Sequence, residues 1–490
     1  MKYLVPTNRQ IKFPTSSEQQ CPIDHVMDGG SAAVNAGAGS GKSHTAKALS
    51  HNYDDKVFFY PFMVSLRKEQ QEAFKDASHV TVNNVHSVGK SLLGRTKVNN
   101  KKCFQIASNL YGKAGRKVSD LVSKLKTEGF GVYDGALTIA ETAAKYAIAL
   151  KDSEQGAESL AEMAQVVLDE SDAMYSEIDF DDMLRMPILL GKTRNSDGLV
   201  VLDEVQDFTP AIWTLVRDCL TTADSRVFMI GDPERQALMM FAGAKPEIFN
   251  EMSDHYGCKS FDLTVNRRCA KAIVRNAPFS GNMVALDDAP EGEVTTQLKC
   301  EVIDEIRDGG HALSAMLCET NAPIVTLGIK LLTSGVPVRM RTGRLDSMLL
   351  RYAAQHMFNR DLNVGDITLL IQKDLEAAAK EGVDVTEFQD VVLCIAELEN
   401  WCLANNILKT TYVYKRPQHP LQQAIAILTS GTTGISLMTG HTSKGLEWDT
   451  VFHLPAKTRE PVAEWEIKQA ECVQHVIATR PRLKFVTLVD

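Results

Sequence analysis

No stretch of this chain is both apolar and long enough to suggest a membrane span. A run such as Val57–Leu66 covers ten residues, against the roughly 20 that a bilayer requires. Met1-Lys2-Tyr3-Leu4-Val5-Pro6 has neither the apolar stretch nor the cleavage site of a signal peptide, so a cytoplasmic protein is expected. Ten cysteines are scattered through 490 residues. No two have the Cys-x-x-Cys spacing of a zinc or iron–sulfur site, and they are too few for a disulfide scaffold. Reduced, mostly buried thiols are expected. A basic excess is also missing: 53 Lys and Arg stand against 62 Asp and Glu, a net charge of −9. That excludes a nucleic-acid coat, but a local basic surface would suffice for phosphate contacts. There is no internal repeat and no low-complexity tract.

What is present is ordinary globular material, 44% hydrophobic and 23% charged, with length for about three domains. Ala32–Ala36 reads as a strand of small residues opening into a Gly-rich turn, with a helix from about Lys42 to His51. Lys56–Tyr60 and His79–Val82 read as further buried strands on their β-branched and aromatic content. Residues 90 to about 185 have a helical pattern and include a basic segment, 91–130, with Lys101, Lys102, Arg116 and Lys117 among its cations. Gly198–Leu202 and Arg226–Ile230 are apolar runs closely followed by acidic residues, the pattern of central parallel strands with functional groups at their carboxyl ends. A second alternating region begins near Phe261 and resumes at Gly434–Met438, Thr450–Leu454 and Lys484–Val489, while 345–430 looks helical and separate.

Ala36-Gly37-Ala38-Gly39-Ser40-Gly41-Lys42-Ser43 lies between the first strand and its helix. It is a phosphate-binding P-loop with Ala in place of the usual first Gly. Backbone N–H groups of such a loop cradle phosphates, Lys42 meets the β and γ phosphates, and the Ser43 hydroxyl holds Mg²⁺. A P-loop needs an acidic partner, and Val200-Val-Leu-Asp-Glu-Val-Gln-Asp207 offers Asp203 for the metal and Glu204 as base for the attacking water. The adjacent Asp-Glu-x-Gln-Asp favours hydrolysis over phosphoryl transfer to a metabolite.

These two segments resemble motifs I and II of the UvrD/Rep-like superfamily 1 DNA helicases, and the family's other motifs follow in order. Thr15–Ile23 resembles the Q motif, with Gln19 in the position that reads adenine. Val82–Gly89 resembles motif Ib, and Ile178–Met183 a stretch often found before motif II. Gly231–Ala244 is similar to motif III, with one extra residue before Gln236. Asn266-Arg267-Arg268 occupies motif IV, and Ser314–Met340 resembles the segment after it. His441–Asp449 is close to motif V, and Glu471–Pro481 resembles motif VI.

The resemblance implies two RecA-like P-loop NTPase cores, α/β with parallel sheets flanked by helices, each with a mainly helical insert. Residues 1–90 and 176–258 would form the first core around the basic helical insert 91–175. Residues 259–344 and 431–490 would form the second around a small helical insert, 345–430. It implies ATP and Mg²⁺ as cofactors. Lys42, Glu204, Gln236, Arg268 and Arg480 would be catalytic, the two arginines stabilising charge on the γ-phosphoryl group. Gln19, the P-loop, Asp203, Arg267, Gly445 and Glu447 would bind ATP, with Glu447 accepting from the ribose hydroxyls. Phe62, His86, Phe241, His441 and Thr442 would contact DNA, and Lys101, Lys102, Arg116 and Lys117 would guide phosphate or duplex.

Several positions depart from the family pattern. Arg267 stands where a Tyr usually stacks on adenine, although a guanidinium plane can also stack. Met239 replaces a common aromatic and leaves Phe241 as the base platform. Motif Ia, expected around Tyr60–Glu69, lacks its usual signature. The implied activity is that of a monomeric, ATP-dependent single-strand DNA translocase and helicase moving 3′→5′. Its partners would be single-stranded and forked DNA, with replication or recombination proteins, and not a membrane. The compact second insert suggests a phage-type version acting in a host cytoplasm. A translocase that strips proteins from DNA while unwinding little shares all these motifs. A P-loop ATPase or kinase uncoupled from DNA shares the first two.

Overall fold

The computed structural model describes residues 13–62, 70–146, 148–150, 159–194, 197–222, 224–308, 314–341, 366–380, 386–408, 411–413, 416–418, 420–456 and 463–490. The chain divides into two compact units, Met1–Val265 and Asn266–Asp490.

In the first unit, apolar β-rich runs form a wholly parallel sheet. Its strands are β1 (Ala32–Ala36), β2 (Val57–Pro61), β3 (Val80–Val82), β4 (Leu199–Asp203), β5 (Arg226–Gly231) and β6 (Lys259–Leu263). Their order across the sheet is β3-β2-β4-β5-β1-β6. Successive side chains point to opposite faces, and the two faces feed different cores. Val34, Leu199, Val201, Phe228 and Ile230 pack with Ala46 and Leu49 of helix α2 (Lys42–Asn52) and with Ile23 of α1 (Ser17–Met27). Val200, Leu202, Val227 and Met229 pack with Trp213, Leu215 and Val88 on the other side. Burial on both faces explains why these strands read as continuous apolar runs rather than as alternation. Because β6 pairs with β1, this sheet reaches past residue 258, where the first core was expected to end.

Between β3 and β4 come α3 (Val85–Leu92), α4 (Lys102–Tyr111), α5 (Gly115–Thr127), α6 (Ile139–Lys145), α7 (Leu160–Ala173) and α8 (Asp182–Leu189). Helices α4, α5 and α7 enclose a core of their own around Val118, Leu121, Leu125, Val167 and Leu168. Capping boxes at Thr138 and Ser159 set the starts of α6 and α7, satisfying helix N–H groups that would otherwise lack acceptors.

The second unit holds another parallel six-stranded sheet, of β7 (Glu293–Leu298), β8 (Ser314–Cys318), β9 (Val338–Arg341), β10 (Ile435–Thr439), β11 (Trp448–His453) and β12 (Pro481–Val489). The order is β7-β12-β11-β8-β10-β9. Helices Asp366–Lys380, Thr386–Ala404 and Pro420–Thr429 lie in the expected insert. They are not a separate core: Val391, Ile395, Leu398 and Leu421 join Met316, Leu437 and Val486 of the sheet in one hydrophobic cluster. A helical period marks an apolar face but does not say what covers it. All ten cysteines are free thiols, seven of them buried. Among the described residues, no helix is long and apolar enough to cross a membrane.

Candidate nucleotide and nucleic-acid sites

In the first unit the P-loop joins the carboxyl end of β1 to the start of α2, where helix N–H groups and the helix dipole favour phosphate. Gly39 and Gly41 have φ of +67° and +89°, the left-handed region that glycine enters without steric cost. A Cβ on Gly41 would also run into the Gln19 side chain. Gln19 is buried and donates from Nε2 to the Ser40 carbonyl at 3.1 Å, while its Oε1 accepts from Ser16 N at 3.2 Å. Gln19 thus braces the P-loop from α1, a contact that the sequence did not announce. The Ser40 hydroxyl donates to Gly37 O at 2.8 Å, and Lys42 Nζ to Ala36 O at 3.0 Å.

Asp203 ends β4, fully buried, with β5 between β4 and β1. Ser43 Oγ donates to Asp203 Oδ2 at 3.4 Å across 160 residues of sequence. A hydroxyl and a carboxylate at this separation fit Mg²⁺, which keeps several waters and takes only one or two protein ligands. Glu204 follows with φ +58° and ψ +43°, a left-handed conformation that a non-glycine residue holds only when its surroundings impose it, and one that clusters at functional sites. Its backbone N–H donates to Asp203 Oδ1 at 3.0 Å, and its carboxylate accepts from Gln206 Nε2. Gln206 Oε1 in turn accepts from Asp232 N at 3.0 Å, and Gln236 Nε2 donates to Asp232 Oδ2 at 2.7 Å. A hydrogen-bonded line therefore runs from Glu204 at the end of β4 to Gln236 beyond β5. Gln206 and Asp232 are its middle members. Both stand inside the quoted motifs, but only the sheet order makes them neighbours.

The residues expected on DNA divide. Phe241 is 39% exposed on a short 3₁₀ turn after Gln236, as a base platform must be. His86 stacks on Phe180 with ring centroids 4.2 Å apart, and burial pushes its pKa down to about 4, so it is a neutral ring. Phe62 is half-buried beside Phe208, ring centroids 6.3 Å apart, against the sheet core, which makes it a packing residue first. The rest of the expected motif Ia, 63–69, lies outside the described residues.

The basic segment needs a correction. Lys101 is exposed and Arg116 is half-buried, but Lys102 is 1% exposed and the Lys117 Nζ atom is buried, so neither lysine is a phosphate contact. Lys102 Nζ donates to Asp182 Oδ2 at 2.8 Å and to Ser171 O at 2.7 Å. Lys126 is buried beside Lys102, 2.6 Å from Asp182 Oδ1 and 2.8 Å from Asp179 Oδ2. Burial works against the Lys126 charge, but the two carboxylates outweigh it and hold its pKa above the usual lysine value. These ions tie α4 and α5 to the segment 178–183. A count of cations cannot tell which face of a helix carries them. Removing one member of a buried pair leaves its partner charged and unmatched, at a cost of about 3–5 kcal/mol. Lys126→Met is expected to lower unfolding stability by that amount in chemical denaturation of the full chain; a loss under about 1 kcal/mol would contradict the assignment.

In the second unit, residues of the motif IV, V and VI segments meet. Arg268 Nε donates to Glu447 Oε2 at 2.8 Å and Nη1 to Thr479 O at 3.3 Å. Glu447 also lies 3.7 Å from Arg482. Arg480 is 2% exposed and donates to Val476 O at 2.9 Å, Leu446 O at 3.4 Å and Thr479 Oγ1 at 3.4 Å. Arg267 and Gly445 are exposed. His441 and Thr442 sit on a short helix after β10, where Thr439 caps the turn. Burial, with Lys444 nearby, lowers the His441 pKa to about 4.

Residues 63–257 match the UvrD/REP helicase N-terminal domain family. Over 112 residues the chain is 29% identical to the Bacillus subtilis (strain 168) protein named "Putative ATP-dependent DNA helicase YjcD", a match covering 21% of this chain and 14% of that one. The crystal structure of Arterivirus nonstructural protein 10 (helicase) aligns with 98% of this chain and 63% of its own, at 9% identity and a TM-score of 0.36, below the level at which a shared fold can be argued. The chain thus spans less than two thirds of the length of either. The P-loop, the acidic strand end and the Gln206–Gln236 line thus lie at the carboxyl edge of one parallel sheet, in a chain whose residues 63–257 are similar to the UvrD/REP helicase N-terminal domain.

Proposed function

We propose that this protein is an ATP-dependent single-strand DNA translocase that unwinds duplex in the 3′→5′ direction. The observation that carries the reading is the convergence of Ser43, Asp203 and Glu204 at one sheet edge, with Ser43 Oγ 3.4 Å from Asp203 and Glu204 held in a left-handed turn. The P-loop amides and Lys42 bind the phosphates, and Glu204 takes the proton of the attacking water. Mg²⁺ held by Ser43 and Asp203 would neutralise phosphate charge when bound. Gln236 carries the state of the phosphate along its loop toward Phe241, and Arg268 and Arg480 stabilise the charge that builds on the γ-phosphoryl group. Glu447 and Arg267 are proposed for ribose and base.

Hydrolysis measured with and without a single-stranded oligonucleotide tests this. DNA should stimulate ATP turnover strongly; indifference to DNA would leave an uncoupled P-loop ATPase. A strand-displacement assay run beside a filament-removal assay then separates unwinding from protein stripping.

The corrected basic surface has its own expected result. Replacing Lys101 and Arg116 together by Ala should flatten log K against log[salt] by about 0.7 per lost contact on single strands, or about 0.9 on duplex. DNA-free ATPase should not change. An equal slope on both substrates before and after would make this face merely solvated.

A further inference from the structure

The exposed Phe241 platform is held from outside its own motif. Lys124 Nζ, near the end of α5, donates to the Phe241 carbonyl at 3.1 Å and lies 4.1 Å from the centre of the Tyr146 ring. The Tyr146 hydroxyl donates to Glu128 Oε1 at 2.6 Å, and Lys145 Nζ to the same oxygen at 2.5 Å. The other oxygen of Glu128 stands 3.3 Å from Lys245 Nζ, four residues beyond Phe241 in the loop. Between them, Gly243 has φ +95°, and a Cβ there would come within 2.7 Å of Thr127 Cγ2 and 3.2 Å of the Tyr146 hydroxyl. The loop after Phe241 therefore lies flat on the end of α5.

Glu128 is 0% exposed. Burial alone would raise its pKa, but hydrogen bonds from Lys145 and Tyr146 and the charges of Lys145 and Lys245 outweigh it and hold it below the usual carboxylate value. The charge-assisted hydrogen bonds from Lys145 and Tyr146 fix this buried carboxylate, and its ion pair with Lys245 ties it to the loop. Asp232 and Gln206 anchor the start of the same loop on the nucleotide side, so Glu128 anchors its far end.

We propose that Glu128 is a positioning residue for DNA: it clamps the Phe241 loop to the helical insert, so that the insert sets where the base platform stands. The inference rests on the reading of the chain as a DNA-stimulated ATPase. It assigns the insert a role in the stepping site itself, apart from any contact its basic face makes with phosphate.

The test is the oligothymidylate concentration giving half-maximal ATPase stimulation, measured for Glu128→Gln, Lys245→Met, Phe241→Ala and the Phe241→Ala double variants. Glu128→Gln and Lys245→Met should each raise it at least about fivefold, the lower end of what one stacked base contributes. DNA-free turnover should stay within about twofold of wild type. In the Phe241→Ala background both effects should shrink to less than about twofold, because the platform they position is gone. Lys245, 22% exposed at its side chain, serves as the variant that folds if loss of the Glu128 charge does not. An unchanged half-saturation value in folded variants, or the same shift with and without Phe241, overturns the proposal. A wild-type protein that no oligothymidylate stimulates overturns the functional reading instead.

Discussion

Glu204→Gln should bind ATP as the wild type does and turn it over slower by about 10² to 10⁴, the usual contribution of a general base. Binding survives because Lys42, Ser43 and Asp203 are untouched, and Asp203 keeps its bonds from Ser43 Oγ and from the backbone N–H of residue 204. The substitution is nearly isosteric, so the left-handed turn at φ +58° and the contact with Gln206 can persist. What disappears is the carboxylate that accepts a proton. The measurements are the ATP dissociation constant and single-turnover hydrolysis. Turnover within a few-fold of wild type would remove Glu204 from the base role, and lost ATP binding would show that it braces the P-loop instead.

Arg480→Ala and Arg268→Ala should each reduce kcat by about 10³ or more, the scale of an arginine that stabilises the charge of phosphoryl transfer. Their settings differ, and that separates chemistry from structure. Arg480 is buried at the end of helix Glu464–Ala478 and holds the Val476 and Leu446 carbonyls, so its alanine variant should also melt earlier. Arg268 is 18% exposed at its side chain and pairs with the more exposed Glu447, so its loss should lower the melting temperature less than that of Arg480. Arg480→Lys keeps a charge but not the planar fork, and should recover stability without recovering kcat. Lys75→Ala, at an exposed pair with Glu72, is the control and should leave kcat unchanged. Losses below about tenfold in both arginine variants would show that neither serves hydrolysis.

Much of the candidate nucleotide site was legible because the chemistry proposed for it is local. A phosphate-binding turn needs glycine at positive φ, a Lys and a hydroxyl within eight residues, and Ala36–Ser43 supplies them in consecutive positions. Strands β1, β2, β4 and β5 were legible because a parallel sheet covered on both faces leaves only apolar runs, and acidic residues at their ends stand out against that background. The helices of the second unit were legible as helices. Their burial against the sheet, through Val391, Ile395 and Leu398, was not, because periodicity gives a face and not its partner.

The sequence by itself determined the residue types at the candidate nucleotide site, their order along the chain and the parallel α/β class, since each follows from spacing within a single element. Only the tertiary structure decided which long-range pairs meet. Ser43 finds Asp203 because just one strand, β5, lies between β1 and β4 in the sheet. Lys102 and Lys126 turn inward because Asp179 and Asp182, more than fifty residues away along the chain, are brought beneath them. The loop after Phe241 is braced because Lys124 reaches the Phe241 carbonyl and Glu128 pairs with Lys245 from the insert. A charge or an aromatic ring in a sequence carries no record of its environment. Its role depends on what surrounds it, and here that is set by segments fifty to a hundred and sixty residues away.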